Sequence, residues 1–220
     1  GLFDLRTRQI TPVVSDPKYD VEGVVMLGRK IVGASVSSAM TEQVFFSNDW
    51  KQLQARVGAN FPGHHIDIVS VSDDLNKMAL YAEGPKWPGG AYLLFDLKGN
   101  EITMVSARYP TIDLASTGEQ RYLSYPARDG MNIDAYLTVP RSGGKNLPAI
   151  ILPHGGPQAR DEGGFDWLSQ FFASRGYVVL QPQYRGSSGF GIQHALAGRK
   201  QWGLKMQDDL SDGVKYLTSN

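Results

Sequence analysis

The 220-residue sequence contains no cysteine. This absence excludes disulfides, thiolate zinc sites and cysteine nucleophiles together. The sequence also lacks an excess of charge of either sign, with 22 Lys and Arg against 22 Asp and Glu. Nothing in this balance favours a nucleic acid or an anionic membrane surface as a partner. No segment shows the spacing of a metal or cofactor motif, so we expect neither.

Long apolar runs are missing as well. No run approaches the roughly 18 residues of a membrane span, and the beginning lacks the basic segment and apolar core of a signal peptide. We therefore expect a soluble protein of the cytoplasm or the periplasm, and homo-oligomer formation is compatible with the sequence. The sequence opens on Gly1-Leu2-Phe3-Asp4, inside a strand-like pattern. We interpret this as a cut, with further polypeptide upstream.

Short strand-like segments fill residues 1–110. They are separated by Gly, Asn, Asp and Pro, which indicates an antiparallel, all-β architecture. The segment Leu2–Thr11 returns as Leu94–Thr103, at an offset of 92 residues. Half of this offset, about 46, lies in the range of propeller-blade repeats. We therefore predict that residues 1–110 form the C-terminal blades of a β-propeller.

Residues 111–220 show a different pattern, in which strands alternate with helices. Alternating segments at 121–126 and 133–139 flank the turn Asp129-Gly130 and predict a hairpin. The apolar run at 148–153 ends in a glycine loop, a helical segment follows at 165–172, and 177–180 predicts a second buried strand. This βαβ unit places ligands at the carboxyl ends of its strands. A last amphipathic helix is predicted from about 204 to 218.

Several short motifs in this half carry a family resemblance. They are, in chain order, His154-Gly155-Gly156-Pro157, Arg175-Gly176-Tyr177, the run from Gln183 to Gly191, Trp202-Gly203 and Asp208-Asp209-Leu210. Each is weak alone, but their succession resembles the catalytic domain of the prolyl oligopeptidase family, particularly its acylaminoacyl-peptidase-like branch. The resemblance implies a serine peptidase whose α/β-hydrolase domain is capped by a β-propeller. Residues 111–220 would then be the first half of that domain, ending before the nucleophile elbow.

The resemblance assigns the loop after residue 153 to the oxyanion hole of acyl transfer. Such a hole consists of backbone N–H donors aimed at the oxygen that becomes negative in the tetrahedral intermediate. By resemblance, Gly156 is the donor in this chain, with Gly155 beside it. His154 either assists the oxyanion through its side chain or pins the loop by hydrogen bonds, and we favour pinning. Arg185 and Arg160 are candidates for substrate binding; the alternatives are an ion pair that holds the loop for Arg185 and a solvated charge for Arg160.

The catalytic triad itself has no match in the sequence. An α/β-hydrolase needs a serine in a Gly-x-Ser-x-Gly elbow, then an acid, then a histidine, in that order. The run Gly186-Ser187-Ser188-Gly189 has the wrong spacing for the elbow, and all four histidines precede the place where the elbow is expected. We expect the downstream half of the catalytic domain to supply these groups, in the same polypeptide or as a second chain.

Two functional classes are compatible with the sequence. In the first, the chain is part of a serine peptidase that hydrolyses short peptides or acyl-peptides, with an acyl esterase as the rival activity on the same fold. In the second, it is a non-catalytic, propeller-bearing binding module without a nucleophile. Reaction of an elbow serine with a fluorophosphonate probe separates the two classes.

Overall fold

A computed structural model describes residues 1–219. The chain divides into two compact units, Gly1–Ile112 and the residues from Asp113 onwards. Each unit has its own core and is described separately. No helix within residues 1–219 is both long and apolar enough to cross a membrane.

The first unit consists of nine strands and one helix. Its elements are β1 Leu2–Phe3, β2 Ile10–Thr11, β3 Val21–Leu27, β4 Lys30–Ser37, β5 Thr41–Phe45, α1 Asn48–Gly58, β6 His65–Val71, β7 Lys77–Gly84, β8 Trp87–Asp96 and β9 Glu101–Ala107. The strands form three open antiparallel sheets, in the orders β1-β2, β3-β4-β5 and β6-β7-β8-β9. The strand content is as predicted, while the propeller stays a prediction because none of these sheets is part of a closed ring.

The 92-residue repeat of the sequence is also a repeat of strand pairing. In the first hairpin Phe3 pairs with Ile10, and at the end of β8 and the start of β9 Phe95 pairs with Ile102. Each residue of the second pair lies 92 positions after its counterpart in the first. The two hairpins therefore share one register.

The turns of these two hairpins are equivalent too. Asp4 Oδ1 accepts the N–H groups two and three residues further on at 2.7 and 2.9 Å. Asp96 Oδ1 does the same at 3.1 and 3.0 Å. Four residues after each aspartate the backbone is left-handed, with φ of 56° at Arg8 and 52° at Asn100. The sequence repeat thus encodes the same Asx-capped turn twice.

Helix α1 was not foreseen by the prediction of an all-β first half. The Ser47 hydroxyl caps the helix by accepting the Trp50 N–H. Trp50 stacks on Phe45 with ring centroids 5.6 Å apart, and Val57 is buried in the sheet core. Trp50, Leu53 and Val57 recur at helical spacing and pack against the same core, so the sequence did contain a periodic signal for this helix.

The second unit combines a mixed sheet with helices. Its elements are a short 3-10 helix Leu114–Ser116, β10 Glu119–Pro126, β11 Asn132–Val139, β12 Ala149–Ile151, α2 Trp167–Ala173, β13 Val178–Pro182, α3 Gly191–Ala197 and α4 Lys205–Ser219. The strand order is β10-β11-β13-β12. The predicted hairpin is confirmed, because β10 and β11 pair antiparallel. The predicted βαβ unit is confirmed as well, because α2 connects β12 to β13 and these two strands pair parallel.

Helix α4 packs against the sheet through Tyr125 and Gly213. The Tyr125 hydroxyl donates to the Asp209 carbonyl at 2.9 Å, and its ring stacks on Tyr216. A Cβ at Gly213 would lie 3.0 Å from both Leu180 and Tyr125, so a larger residue would push these side chains or the helix away by a few tenths of an ångström. The first residues of α4 are thereby fixed next to the ends of β12 and β13.

Leu93 and Leu94 provide a matched test of which face of β8 is buried. Leu93 is fully buried, whereas Leu94 is 40% exposed. We expect Leu93→Ala to lower the free energy of unfolding by about 2–5 kcal/mol, because it removes buried methyl groups and leaves a cavity. Leu94→Ala should cost less than about 1 kcal/mol. Urea denaturation measures both, and equal losses would show that the face of Leu94 is covered as well.

Candidate active site

The candidate site begins where β12 and β13 end. Ile150 pairs with Val179 and Ile151 with Leu180, and β13 continues for two residues beyond this last pair, to Pro182. The Leu152 N–H donates to the Leu180 carbonyl at 2.8 Å and extends the ladder by one bond. The loop at 153–157 and the loop at 183–189 consequently leave the same edge of the sheet side by side.

The first loop carries two exposed glycines. Neither the Gly155 nor the Gly156 N–H has a hydrogen-bond partner within residues 1–219. Gly156 has a φ of 123°, and a Cβ there would lie 2.9 Å from the Ala159 nitrogen, so this position requires glycine. Gly155 faces open space. The loop therefore presents free backbone donors at the carboxyl end of the parallel strand β12, whose residues are exposed or half-buried rather than buried as predicted.

A cavity of about 420 Å³ adjoins this loop. Its lining is mostly apolar and combines both loops with the start of α4. It includes Pro153, His154, Gly156, Tyr184, Trp202 and Met206. A peptide group placed here would have apolar surface around it and free amide donors next to it.

His154 joins the two loops through its ring. Nε2 lies 2.8 Å from the Ser187 hydroxyl and Nδ1 lies 2.9 Å from the Gly155 carbonyl oxygen. The ring stacks on Tyr184 with centroids 4.5 Å apart, and the Tyr184 hydroxyl donates to the His154 carbonyl at 2.8 Å. Burial lowers the pKa of His154. These contacts are those of the pinning alternative, while a role at the oxyanion stays a prediction.

Arg185 fixes the second loop from within the protein. Its side chain is 5% exposed, and Nε and Nη2 donate to the fully buried Asp209 at 2.8 and 2.7 Å. Nη1 and Nη2 also donate to Asp129 at 2.8 and 3.0 Å. The Arg185 guanidinium, with Lys205, holds the pKa of Asp129 well below its usual range. These contacts correspond to the ion-pair alternative; substrate binding by Arg185 stays a prediction.

Arg160 lies under the surface beside the first loop. Its side chain is 5% exposed, its guanidinium sits 5.0 Å above the Phe190 ring, and Nε lies 3.4 Å from a Glu162 carboxylate oxygen. The alternative of a solvated charge is therefore wrong. Binding of substrate by Arg160 stays a prediction.

Asp161, next to Arg160, is a half-buried carboxyl group. Gln183 holds its backbone from both sides, accepting the Asp161 N–H at 3.2 Å and donating to its carbonyl at 2.7 Å. Oδ2 of the carboxyl has no hydrogen-bond partner. Burial, with the nearby charge of Asp166, raises the pKa of Asp161 to about 6.

The sequence prediction missed Tyr184, Ser187 and Asp129 as parts of the site. Tyr184 and Ser187 were recognised only as members of a motif, and Asp129 only as a turn residue. One signal was available for Asp129. If Arg185 is buried, its charge needs a carboxylate partner, and Asp129 is such a group. Within residues 1–219, no cluster of His, Asp and Glu is arranged to hold a metal ion.

Comparison with known proteins finds similarity to peptidases. Residues 164–220 match the model of the prolyl oligopeptidase family. The chain is 29% identical to dipeptidyl aminopeptidase BIII of Pseudoxanthomonas mexicana, over 97% of this chain and 32% of that protein. It is 33% identical to dipeptidyl peptidase family member 6 of Caenorhabditis elegans, over 80% of this chain and 27% of that protein. It thus spans about a third of the length of these relatives.

A solved structure agrees in fold. The acylaminoacyl peptidase of Pyrococcus horikoshii superposes with a TM-score of 0.60 at 18% sequence identity, covering 93% of this chain and 31% of that protein. At this identity the likeness concerns the fold alone. The family match begins at Gly164, so it does not include the glycine loop.

Arg185 and Arg121 form a matched pair of arginines for testing the buried ion pair. We expect Arg185→Met to lower the free energy of unfolding by about 3–5 kcal/mol, because the Asp209 carboxylate stays buried without its partner. Arg121→Met removes only an exposed pair with Glu119 and should cost less than about 1 kcal/mol. Urea denaturation of the intact protein measures both losses. Similar small losses would rule out an anchoring role for Arg185.

Asp161 predicts a distinct pH dependence. Because its folded pKa is raised to about 6, the group stabilises the fold below about pH 4, and this contribution is lost as the pH rises through 6. Relative to the unmodified protein, Asp161→Asn should therefore gain about 1–3 kcal/mol of stability between pH 4 and pH 7. The exposed neighbour Glu162 serves as the control through Glu162→Gln. A pH-independent difference would mean that the Asp161 pKa is not raised.

Proposed function

Because this chain belongs to the prolyl oligopeptidase family, we propose that it forms part of a serine peptidase and supplies one half of its oxyanion hole. The backbone N–H of Gly156 donates to the negative oxygen of the tetrahedral intermediate. Gly155 shapes the approach and His154 pins the loop. The nucleophilic serine, the acid and the base come from polypeptide outside these 220 residues, consistent with a chain that spans about a third of its relatives.

One observation carries this proposal. A loop with two free, exposed N–H groups follows the parallel strand β12 and borders an apolar cavity. In an α/β-hydrolase, the second oxyanion donor comes from the loop after the third strand, and the first is the residue after the nucleophile. A donor fixed before reaction costs no reorganisation when the charge develops, which is why such groups contribute strongly to the rate.

We propose short peptides as the substrate class. Two of the relatives are named as dipeptidyl peptidases, which favours short peptides as substrates. The apolar cavity next to Gly156 is suited to holding part of such a peptide, and Arg160 and Arg185 remain candidates for indirect or direct contact with it. Residues 1–110 would be the C-terminal blades of a propeller and residues 111–220 the first half of the catalytic domain.

Gly156 and Gly155 allow the donor to be tested directly in the intact protein. A Cβ at Gly156 would press on Ala159 and the φ of 123° is strained for alanine. Gly156→Ala should therefore turn the donor away and lower kcat by about 10- to 100-fold on a dipeptide amide. Gly155→Ala meets no atom within 4 Å and should cause a much smaller loss. Equal losses of kcat in the two variants would contradict the assignment of the Gly156 N–H as an oxyanion donor.

Labelling of the intact protein with a fluorophosphonate probe tests the enzyme class itself. Covalent labelling of one serine is expected, and the labelled serine should lie in a Gly-x-Ser-x-Gly elbow. A folded, intact protein that neither reacts with the probe nor cleaves dipeptide amides is a binding module rather than a peptidase. Faster turnover of short acyl esters than of any peptide would favour the esterase.

A further inference from the structure

The backbone of Asp161 is held on both sides by the side chain of Gln183. This side chain is fully buried. Its Nε2 donates to the Asp161 carbonyl at 2.7 Å, and its Oε1 accepts the Asp161 N–H at 3.2 Å. The same carbonyl also accepts from Nε of Arg160, at the longer distance of 3.3 Å. One amide therefore binds both the donor and the acceptor of a single backbone residue, and we call this contact the Gln183 clamp.

The sheet gives the Gln183 clamp a fixed base. The Gln183 N–H donates to the Asp134 carbonyl on β11 at 2.8 Å. Earlier on β13, the Leu180 carbonyl accepts the Leu152 N–H at 2.8 Å. Segment 153–160 therefore leaves the sheet after one hydrogen bond to the β13 strand and is fastened back to the end of the same strand by the clamp.

Ala159 connects the Gln183 clamp to the candidate oxyanion donor. It lies in the clamped segment, and its carbonyl accepts the Ser188 N–H of the second loop at 3.0 Å. A Cβ built on Gly156 would lie 2.9 Å from the Ala159 nitrogen and 3.0 Å from the Ala159 Cβ. The Gly156 α-carbon thus packs directly against Ala159, so the position of Ala159 limits the positions that are open to Gly156.

The two glycines of the first loop need a restraint from outside. Glycine populates both signs of φ, and neither Gly155 nor Gly156 has a side chain that could fix the backbone. A backbone donor contributes strongly to the rate when it is aimed at the oxyanion before the charge develops. The ring of His154 contacts the start of the loop. The Gln183 clamp is the corresponding restraint after the loop.

We propose that Gln183 is a positioning residue for the oxyanion donor Gly156. Its clamp on Asp161 holds the segment after the first loop in place, and the contact with Ala159 passes this restraint to the Gly156 N–H. The inference rests on the proposed role of Gly156 and assigns a residue that controls it. Because Gln183 is fully buried, it acts through the backbone that it holds rather than through contact with the substrate.

Gln170 on α2 provides a matched control. It is also buried, and its amide binds the backbone of Gly118 in the same two-sided way, accepting the N–H at 2.7 Å and donating to the carbonyl at 3.3 Å. This second clamp joins α2 to the residue before β10. Loss of either clamp takes an amide partner from one backbone N–H group, so the two losses of stability should be similar. Only loss of the Gln183 clamp should reach the oxyanion donor.

Gln183→Met and Gln170→Met compare the two clamps in the intact enzyme. Methionine is unbranched and flexible like glutamine but lacks the amide. Titration with a fluorophosphonate counts the active molecules, so kcat refers to folded enzyme only. On a dipeptide amide, Gln183→Met should lower kcat by about five- to tenfold with KM changed less than about twofold. Gln170→Met should leave both constants within about twofold. Equal changes of kcat in the two variants, or a loss confined to KM, would overturn the positioning role.

Gln183→Asn provides the test if Gln183→Met does not fold. The asparagine amide keeps a polar group in the buried position, but it is one methylene shorter and cannot reach both backbone groups of Asp161. We expect kcat about three- to fivefold below that of the unmodified enzyme, with KM within about twofold. A folded Gln183→Asn enzyme with the kcat of the unmodified enzyme would overturn the proposal.

A double-mutant cycle tests whether Gln183 acts through Gly156. Once Gly156→Ala has turned the donor away, the clamp has little left to position. Gln183→Asn should therefore lower kcat less than about twofold in the Gly156→Ala background. If the two losses multiply in full, the route through Gly156 is overturned.

The proposed function is decided separately from the clamp. Equal losses in Gly156→Ala and Gly155→Ala would contradict Gly156 as the donor and with it the proposed function. A selective loss in Gly156→Ala, together with unchanged kcat in Gln183→Asn, would overturn the positioning role of Gln183 alone.

Discussion

The short parallel pairing of β12 and β13 is the constraint on which the candidate site depends. Only three residue pairs join the two strands, from Ala149 with Val178 to Ile151 with Leu180. Because the strands are parallel and pair in this register, the glycine loop and the loop beginning at Gln183 meet at the same end of the sheet. A shift of one residue would turn the side chains of the shifted strand to the opposite face of the sheet and offset the two loops. The hydrogen bonds from His154 to the second loop exist because this register is kept.

Arg185 gives the second loop its fixed position. One guanidinium binds two carboxylates, those of Asp209 on α4 and Asp129 in the β10–β11 turn. Two of its nitrogens donate to the two oxygens of each carboxylate. A planar group with several donors in a fixed arrangement can satisfy two carboxylates at once, which a lysine ammonium does less well. The loop is therefore tied to a helix and a hairpin that are distant in sequence. Ser187 lies two residues after Arg185, so the same ion pairs also fix its position relative to His154.

Much of this arrangement could be predicted from the sequence. The hairpin, the βαβ unit and the family followed from apolar periodicity and motif order, and the 92-residue offset corresponds to two equivalent hairpins. Helix α1 was missed because the Ser, Asn and Asp at its start are common in turns as well as at helix N-caps. The partners of His154 and Arg185 could not be predicted, since Ser187 and Asp129 are brought to them by strand register and side-chain geometry rather than by local sequence pattern.

The central claim is that the Gly156 amide binds the oxyanion, and a crystal structure of the intact protein with a covalent fluorophosphonate adduct tests it most directly. The measured quantity is the distance from the Gly156 nitrogen to the phosphoryl oxygen. The account predicts a distance of about 2.7–3.1 Å. A phosphoryl oxygen bound by other donors, with the Gly156 N–H directed elsewhere, would contradict it.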